Sequence, residues 1–410
     1  MSGKGPLKLL HVLSLSGAGG VECSLERYVL ETASRQDMEN HVVVTGEPIA
    51  ERFRDTIQKH AKGIYHKKFW RGVKLPKLPA ALRKRHIAAI ASGVSPHVVI
   101  FYNGLGDLSN LAFAPAGARL IYYERGSAWR PHPAGDVEKF LSRIDTILCN
   151  SHASKRVLEL KWGLKEGAAR VCHIGVRLEE KCEPRPRSIR EKKTIHLGMA
   201  GRLDGLKGAC LAIHALKELK DSPQDFVLHI AGKGPEQGRL QQLSKKLGVA
   251  DKVHFHGFVN DMAAFYEQID VFLCPSVRES LGNVCIEAGY YGLPVVASAV
   301  DGLPEIVQDG KTGFCIRPSL PIEDYEALGG SITGLPGWVY DPVEDRLSKP
   351  RLAAPQSIAK KIGTLCANPD RYENMSAKAR RFVTETFNFS RYLARFNGLV
   401  LGTDLEANAK

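Results

Sequence analysis

The chain has 410 residues, 44% of them apolar and 25% charged, and a net charge of +13. That length suits two domains of average size, and no apolar run reaches the ~18 residues that a membrane-spanning helix needs. Nine cysteines without a C-x-x-C pair, histidines without metal-ligand spacing and the lack of any Asp-x-Asp predict no disulfide scaffold, no metal and no cofactor, whereas the charge asks for an anionic partner.

Taken in order, the first segment is Lys8 to Leu15. It is apolar but short, contains His11 and runs straight into a glycine turn, so it reads as a first parallel strand rather than a secretory leader. A cytoplasmic protein is expected. Strand patterns follow at 40–46, 97–102, 119–123, 145–150 and 170–176, with helical patterns at 22–35, 76–92 and 151–162. Such alternation predicts a parallel sheet covered on both faces, a Rossmann-like domain over 1–180. Within it, Thr56 to Gly106 contains no Asp or Glu but carries Lys59, Lys62, Lys67, Lys68, Arg71, Lys74, Lys77, Arg83, Lys84 and Arg85, with Phe69 and Trp70 among them. The 59–85 stretch suits peripheral contact with an anionic membrane. A solvated face and a grip on nucleic acid are the alternatives, and no nucleic-acid partner is expected.

Residues 178–193 are charged and broken by prolines, and read as an exposed linker. A second alternating series follows over 181–387. Its strands are expected at 194–200, 226–232, 252–258, 270–275, 294–299 and 313–317, and its helices at 207–220, 235–247, 261–268, 283–292 and 303–308. Residues 319–356 break the pattern and read as an insertion. Helical patterns resume at 357–367, 370–386 and 389–401.

The most informative stretch is Asp270 to Ser298, which reads strand, loop, helix, strand. Glu279 stands in the loop and Glu287 about one turn inside the helix. A helix start presents unpaired N–H groups and a partial positive charge, so Ser280, Leu281, Gly282 and Asn283 suit a phosphate. Carboxylates on either side suit hydroxyls, a sugar at Glu279 and a ribose at Glu287; two solvated surface acids are the plain alternative. Upstream, Gly201-Arg202-Leu203-Asp204-Gly205-Leu206-Lys207-Gly208 follows a strand, and near the start Gly19, Gly20 and Glu22 follow another.

These three motifs, in this order, resemble family 4 of the retaining glycosyltransferases, and the likeness runs from about Leu7 to Gly402. The family's Glu-x7-Glu falls on Glu279 and Glu287, its Gly-Arg-x4-Lys on Gly201, Arg202 and Lys207, and its Gly-Gly-x-Glu on Gly19, Gly20 and Glu22. The resemblance implies the GT-B fold, two Rossmann-like domains facing across a cleft, with a final helix at about 388–402 returning to the first. It implies a hexose transferred from a nucleotide-diphosphate sugar, UDP favoured, to a hydroxyl of a glycan or lipid-linked glycan in cell-surface polysaccharide synthesis of the bacterial lipopolysaccharide or exopolysaccharide type.

In that reading Glu279 orients the donor sugar and Arg202 and Lys207 take the charge that other transferases give to a metal. Gly19 and Gly20 let backbone amides approach the diphosphate, while Phe258 and Val259 resemble the base-reading segment. Glu124 and Arg125 stand where relatives often place a histidine, so the choice between a sugar or acceptor contact and an internal ion pair stays open. Rival readings are a non-hydrolysing sugar-nucleotide epimerase and a non-catalytic nucleotide-sugar-binding partner.

Overall fold

The computed structural model describes residues 5–17, 19–76, 80–176 and 187–403. They form two compact α/β units. The first unit draws on Met1–Asn150, Leu158–Ile174 and Leu393–Lys410, and the second on Ser151–Val157 and Gly175–Tyr392. The second unit thus takes the start of the helix His152–Trp162, and the last helix, Phe389–Leu401, passes from the second unit into the first.

In the first unit the strands are β1 (Leu7–Leu13), β2 (Met38–Val44), β3 (Gly63–His66), a small hairpin of β4 (Phe69–Trp70) and β5 (Val73–Lys74), then β6 (Val98–Tyr102), β7 (Arg119–Glu124), β8 (Thr146–Cys149) and β9 (Ala169–Val171). Seven of them form one sheet in the order β3-β2-β1-β6-β7-β8-β9, and its pairs are parallel. Strands buried on both faces need apolar runs, which Val98 to Tyr102 supply without a break and Leu9 to Leu13 supply apart from the buried His11. The sequence patterns did not show β3, the hairpin or the helices Glu51–His60 and Ala134–Leu141. These pieces are short, and β3 is half-buried along its whole length, so no period of two emerges.

The second unit holds β10 (Thr194–Ala200), β11 (Asp225–Ala231), β12 (Val253–Gly257), β13 (Val271–Cys274), β14 (Val295–Ser298) and β15 (Gly313–Ile316). Their order is β12-β11-β10-β13-β14-β15, again with parallel pairs. In both sheets the strand order reverses beside the first strand, as in a doubly wound fold.

Two segments differ from the sequence expectation. Of the supposed linker, residues 177–186 lie outside the described ones, but 187–193 are fastened to the second unit. Arg187 donates to the carbonyls of Tyr266, Glu267, Ile269 and Tyr291, Ile189 is buried, and Lys192 pairs with Asp270. The insertion likewise joins the core of its unit: Tyr325, Leu352 and Ala353 are buried in it. Leu320–Pro321 pairs with Arg351–Leu352, and Val339–Asp341 with Arg346–Ser348.

One buried polar chain ties the first unit together. His11 on β1 lies 3.0 Å from both Tyr102 Oη and Asn40 Oδ1; Asn40 donates to Thr32 Oγ1, which donates to the Tyr28 carbonyl. Because Asn40 Oδ1 can only accept, Nε2 of His11 carries the proton and Nδ1 accepts from Tyr102. Tyr28 also donates to Asn397 of the last helix at 2.8 Å, while Phe396 packs edge-on against the Tyr28 ring.

Burial, opposed by the Asn40 contact, brings the His11 pKa down to about 4. The folded state therefore keeps His11 neutral where the unfolded chain, near 6.5, already takes a proton. Its contribution is complete above pH 6.5 and is lost as the pH falls towards 4, by ~3 kcal/mol at pH 4. His229, also brought down to about 4 by burial, acts in the same direction. Urea midpoints measured from pH 7.5 to 4 should hold level to about 6.5 and then decline. A curve flat down to pH 4 would contradict this account, and His11→Gln should shallow the decline.

Candidate functional site

Three neighbouring strands of the second sheet, β10, β13 and β14, end at the same edge, since parallel strands share a direction. Their following loops are 201–208, 275–282 and 299–302. That edge lies where the strand order reverses, between β10 and β13, the place where doubly wound sheets take their ligands.

Glycine sets how closely the loops approach. At Gly208, with φ +67°, a Cβ would lie 2.1 Å from the Pro275 carbonyl oxygen; at Gly232, with φ +138°, one would lie 1.8 Å from that of Gly201. Only bare backbone fits these contacts. Val277 N–H then donates to the Leu206 carbonyl at 2.9 Å, binding the first loop to the second.

Upon this scaffold the Lys207 ammonium meets the Glu279 carboxylate, two residues 72 apart in sequence. Lys207 is about a quarter exposed and Glu279 less. Burial opposes the lysine's charge, but Glu279, with help from Cys274 and Asp204, outweighs it and raises the pKa above the ordinary lysine value. Lys207 is a fixed cation at any physiological pH. Arg202 differs: its side chain is 72% exposed at the mouth of the same loop, with Nε 2.9 Å from Asp204 Oδ2.

Glu279 is held from behind by a residue that the sequence reading missed. Asp301, 1% exposed and with φ +49°, accepts from the Glu279 N–H at 3.0 Å through Oδ2 and from the Tyr340 N–H at 2.7 Å through Oδ1. Asp301 N–H returns a bond to the Tyr340 carbonyl at 3.0 Å, and Gly302 N–H donates to the Glu279 carbonyl at 3.1 Å. The Asp301-Gly302 pair at a strand end was the available signal, since Asp tolerates the left-handed region and turns the chain. From the insertion, Tyr325 Oη donates to the Gly205 carbonyl at 2.7 Å.

Gly282, with φ +99°, caps the helix Asn283–Tyr290, and Ser280, Leu281 and Gly282 are buried at its start. Glu287 lies one turn inside, where Tyr266 Oη donates to its Oε2 at 2.9 Å; burial, then Glu287, pushes the Tyr266 pKa well above the usual tyrosine range. Phe258, just beyond β12, is 49% exposed and Val259 half-buried, so Phe258 is not a core residue.

In the first unit Gly19 precedes the helix Gly20–Thr32, and Glu22 folds back beside it. Arg125 is buried and its guanidinium donates to the Gly20 carbonyl at 3.1 Å, which joins the β7 end to the β1 turn. Glu124 is fully buried. Its Oε1 accepts from the amides of Gly126 at 2.5 Å and Ala128 at 3.1 Å, and its Oε2 from Tyr122 Oη. Of the readings left open for this carboxylate, neither is settled by these bonds, which tie it to its own loop and strand.

Residues 181–328 match the family described as Glycosyl transferases group 1. A D-inositol 3-phosphate glycosyltransferase of Streptomyces bingchenggensis (strain BCW-1) is 30% identical over 216 residues, 47% of each chain. The chain thus spans about half the length of the curated relatives it matches. Similar solved structures include Anabaena Alr3699/HepE in complex with UDP and glucose, with TM-score 0.71, 17% identity and coverage of 97% of this chain and 100% of that one. The lipopolysaccharide outer core galactosyltransferase WaaB, in its apo form, gives TM-score 0.68 and 16% identity at the same coverage. At such identities the structural likeness establishes the fold. With its Glu-x7-Glu and Gly-Arg-x4-Lys motifs meeting at one sheet edge, the chain is similar to the group 1 glycosyltransferases over residues 181–328 and has the GT-B fold of two Rossmann-like domains.

Proposed function

We propose that this protein is a retaining glycosyltransferase that moves a hexose from a nucleotide-diphosphate sugar to a hydroxyl of a glycan or lipid-linked glycan. The observation that carries the reading is the Lys207–Glu279 pair, set by two strand-end loops beside a helix start. In the proposed reaction the anomeric C–O bond breaks and the diphosphate leaves with an added negative charge. Lys207, Arg202 and the 281–283 amides stabilise that charge, the last through the helix dipole. Glu279 orients the sugar through its hydroxyls, Glu287 holds the ribose, and Phe258–Val259 lie against the base. The acceptor hydroxyl adds to the anomeric carbon on the face the diphosphate leaves, and its proton passes to the leaving phosphate oxygen. UDP is the favoured carrier, consistent with the UDP complex of HepE.

Turnover of a UDP-hexose with a glycan acceptor tests the reading. Lys207→Ala should lower kcat by about a hundredfold or more, since it removes charge stabilisation made in the transition state and leaves Glu279 unpaired. Glu287→Gln should act mainly on the KM for the donor. Unchanged rates in both, with UDP still raising the melting temperature, would defeat the assignment. Products formed from the donor alone would point to epimerisation.

A second proposal concerns the membrane. Among the described residues no helix is long and apolar enough to cross one. On the β4–β5 hairpin, Trp70 is 57% and Val73 68% exposed, with Arg71 stacked over the Trp70 ring and Lys74 over that of Phe69. Lys67, by contrast, does not belong to that face: it is buried, and its ammonium lies 3.0 Å from Asp107 Oδ2, 2.7 Å from Ser109 Oγ and 2.5 Å from Asn110 Oδ1. The hairpin is proposed to rest on an anionic lipid surface, with each nearby cation contributing about 1 kcal/mol. Co-sedimentation with phosphatidylglycerol vesicles should fall on Trp70→Ser with Arg71→Gln; retention equal to that of the unaltered protein would remove the hairpin from the interface.

A further inference from the structure

The 319–356 segment is unused by the donor chemistry, yet it encloses a cavity of about 680 Å³, within the ~300–1,000 Å³ usual for small-ligand sites. Its apolar lining is made by Ile322, Ile332 and Leu335 with three prolines. Its rim carries Arg346, Lys349 and Arg351 against a single acid, Glu323. No carboxylate among the described residues pairs with any of the three cations. Arg346 and Arg351 stand on the short paired strands that frame the segment, so their backbones are fixed. Beside the rim lies Trp338, 45% exposed, with the Lys349 ammonium 5.0 Å from its ring centre.

We propose that this pocket binds an anionic saccharide, a sugar bearing a carboxylate or a phosphate. Three cations without a carboxylate partner, Arg351 also donating to the Ser319 carbonyl, face one carboxylate and select a negative group by charge complementarity, and guanidiniums favour its planar or tetrahedral oxygens. The apolar lining and the open indole suit the C–H faces of a sugar ring.

The pocket also borders the donor motif. Leu335, in the lining, lies 3.6 Å from where a Gly205 Cβ would stand, and the Ser331 carbonyl lies 2.0 Å from the same point. A sugar held there rests on the back of the loop that carries Lys207. Its use in holding an acidic sugar of the acceptor glycan rests on the transferase reading; the binding itself does not.

Titration calorimetry of the full chain tests the site without measuring turnover, so a failed transferase reading leaves the result intact. The probes are a galacturonate tetramer, glucose 6-phosphate, the neutral maltotetraose, inorganic phosphate and phosphatidylglycerol vesicles, with the thermal melting curve as a control of folding. The galacturonate tetramer, glucose 6-phosphate or both should bind, and the responding one identifies the acidic group. In Arg346→Gln with Lys349→Gln that binding should fall about tenfold or more, as expected when charge-assisted bonds are lost, while the melting temperature stays unchanged. Maltotetraose should bind at least about tenfold more weakly than the acidic sugar, for the same reason. Equal binding by the variant, no binding of either acidic sugar, inorganic phosphate binding as tightly as the sugar, or vesicle binding lost in the variant would each overturn the proposal.

Discussion

The candidate site depends on one contact, the ion pair of Lys207 with Glu279. Each residue sits on a loop that would wander if left alone. Backbone contact at Gly208, the Val277–Leu206 hydrogen bond and the pair itself hold the two loops as one body. A partly buried pair of this kind is not mainly a source of stability, because desolvation offsets most of its attraction. What it supplies is placement: a permanently charged ammonium and an oriented carboxylate at one sheet edge, ready before any ligand arrives.

That placement reaches outward through buried polar groups. Asp301 links Glu279 to Tyr340, and Tyr325 links the insertion to Gly205, so both halves of the pair are supported by a segment that looks dispensable in sequence. Each bond is ordinary, about 1 kcal/mol in net terms. Together they set angles that the loops alone could not keep. The insertion is therefore part of the site's framework as well as the wall of a second pocket, and a ligand in that pocket would press on the same loop.

The two units were unequally legible. In the second, every strand of the six-stranded sheet fell within a residue or two of its pattern, because these strands are short, mainly apolar runs bounded by turns, while the short strands of the insertion went unseen. In the first, β3 and the hairpin at Phe69–Lys74 escaped, being too short and too exposed for periodicity to register. Lys67 misled for a related reason: a basic residue in a basic stretch looks solvated, and only folding brings Asp107, Ser109 and Asn110 around it. Glu124 was left open by the sequence, and only folding shows the Gly126 and Ala128 amides and Tyr122 taking up both its oxygens.

By itself the sequence determined the alternation of strands and helices, the two Rossmann-like series and the order of the three motifs, since these depend on near neighbours and on residue types at turns. It could not decide which distant residues touch. That Lys207 meets Glu279 across 72 positions, that Asp301 holds Glu279 from behind and that three cations of the insertion gather around one apolar hollow are matters of strand order and loop packing. Such contacts arise only when the sheet closes, because nothing in the local chain ties one loop to another.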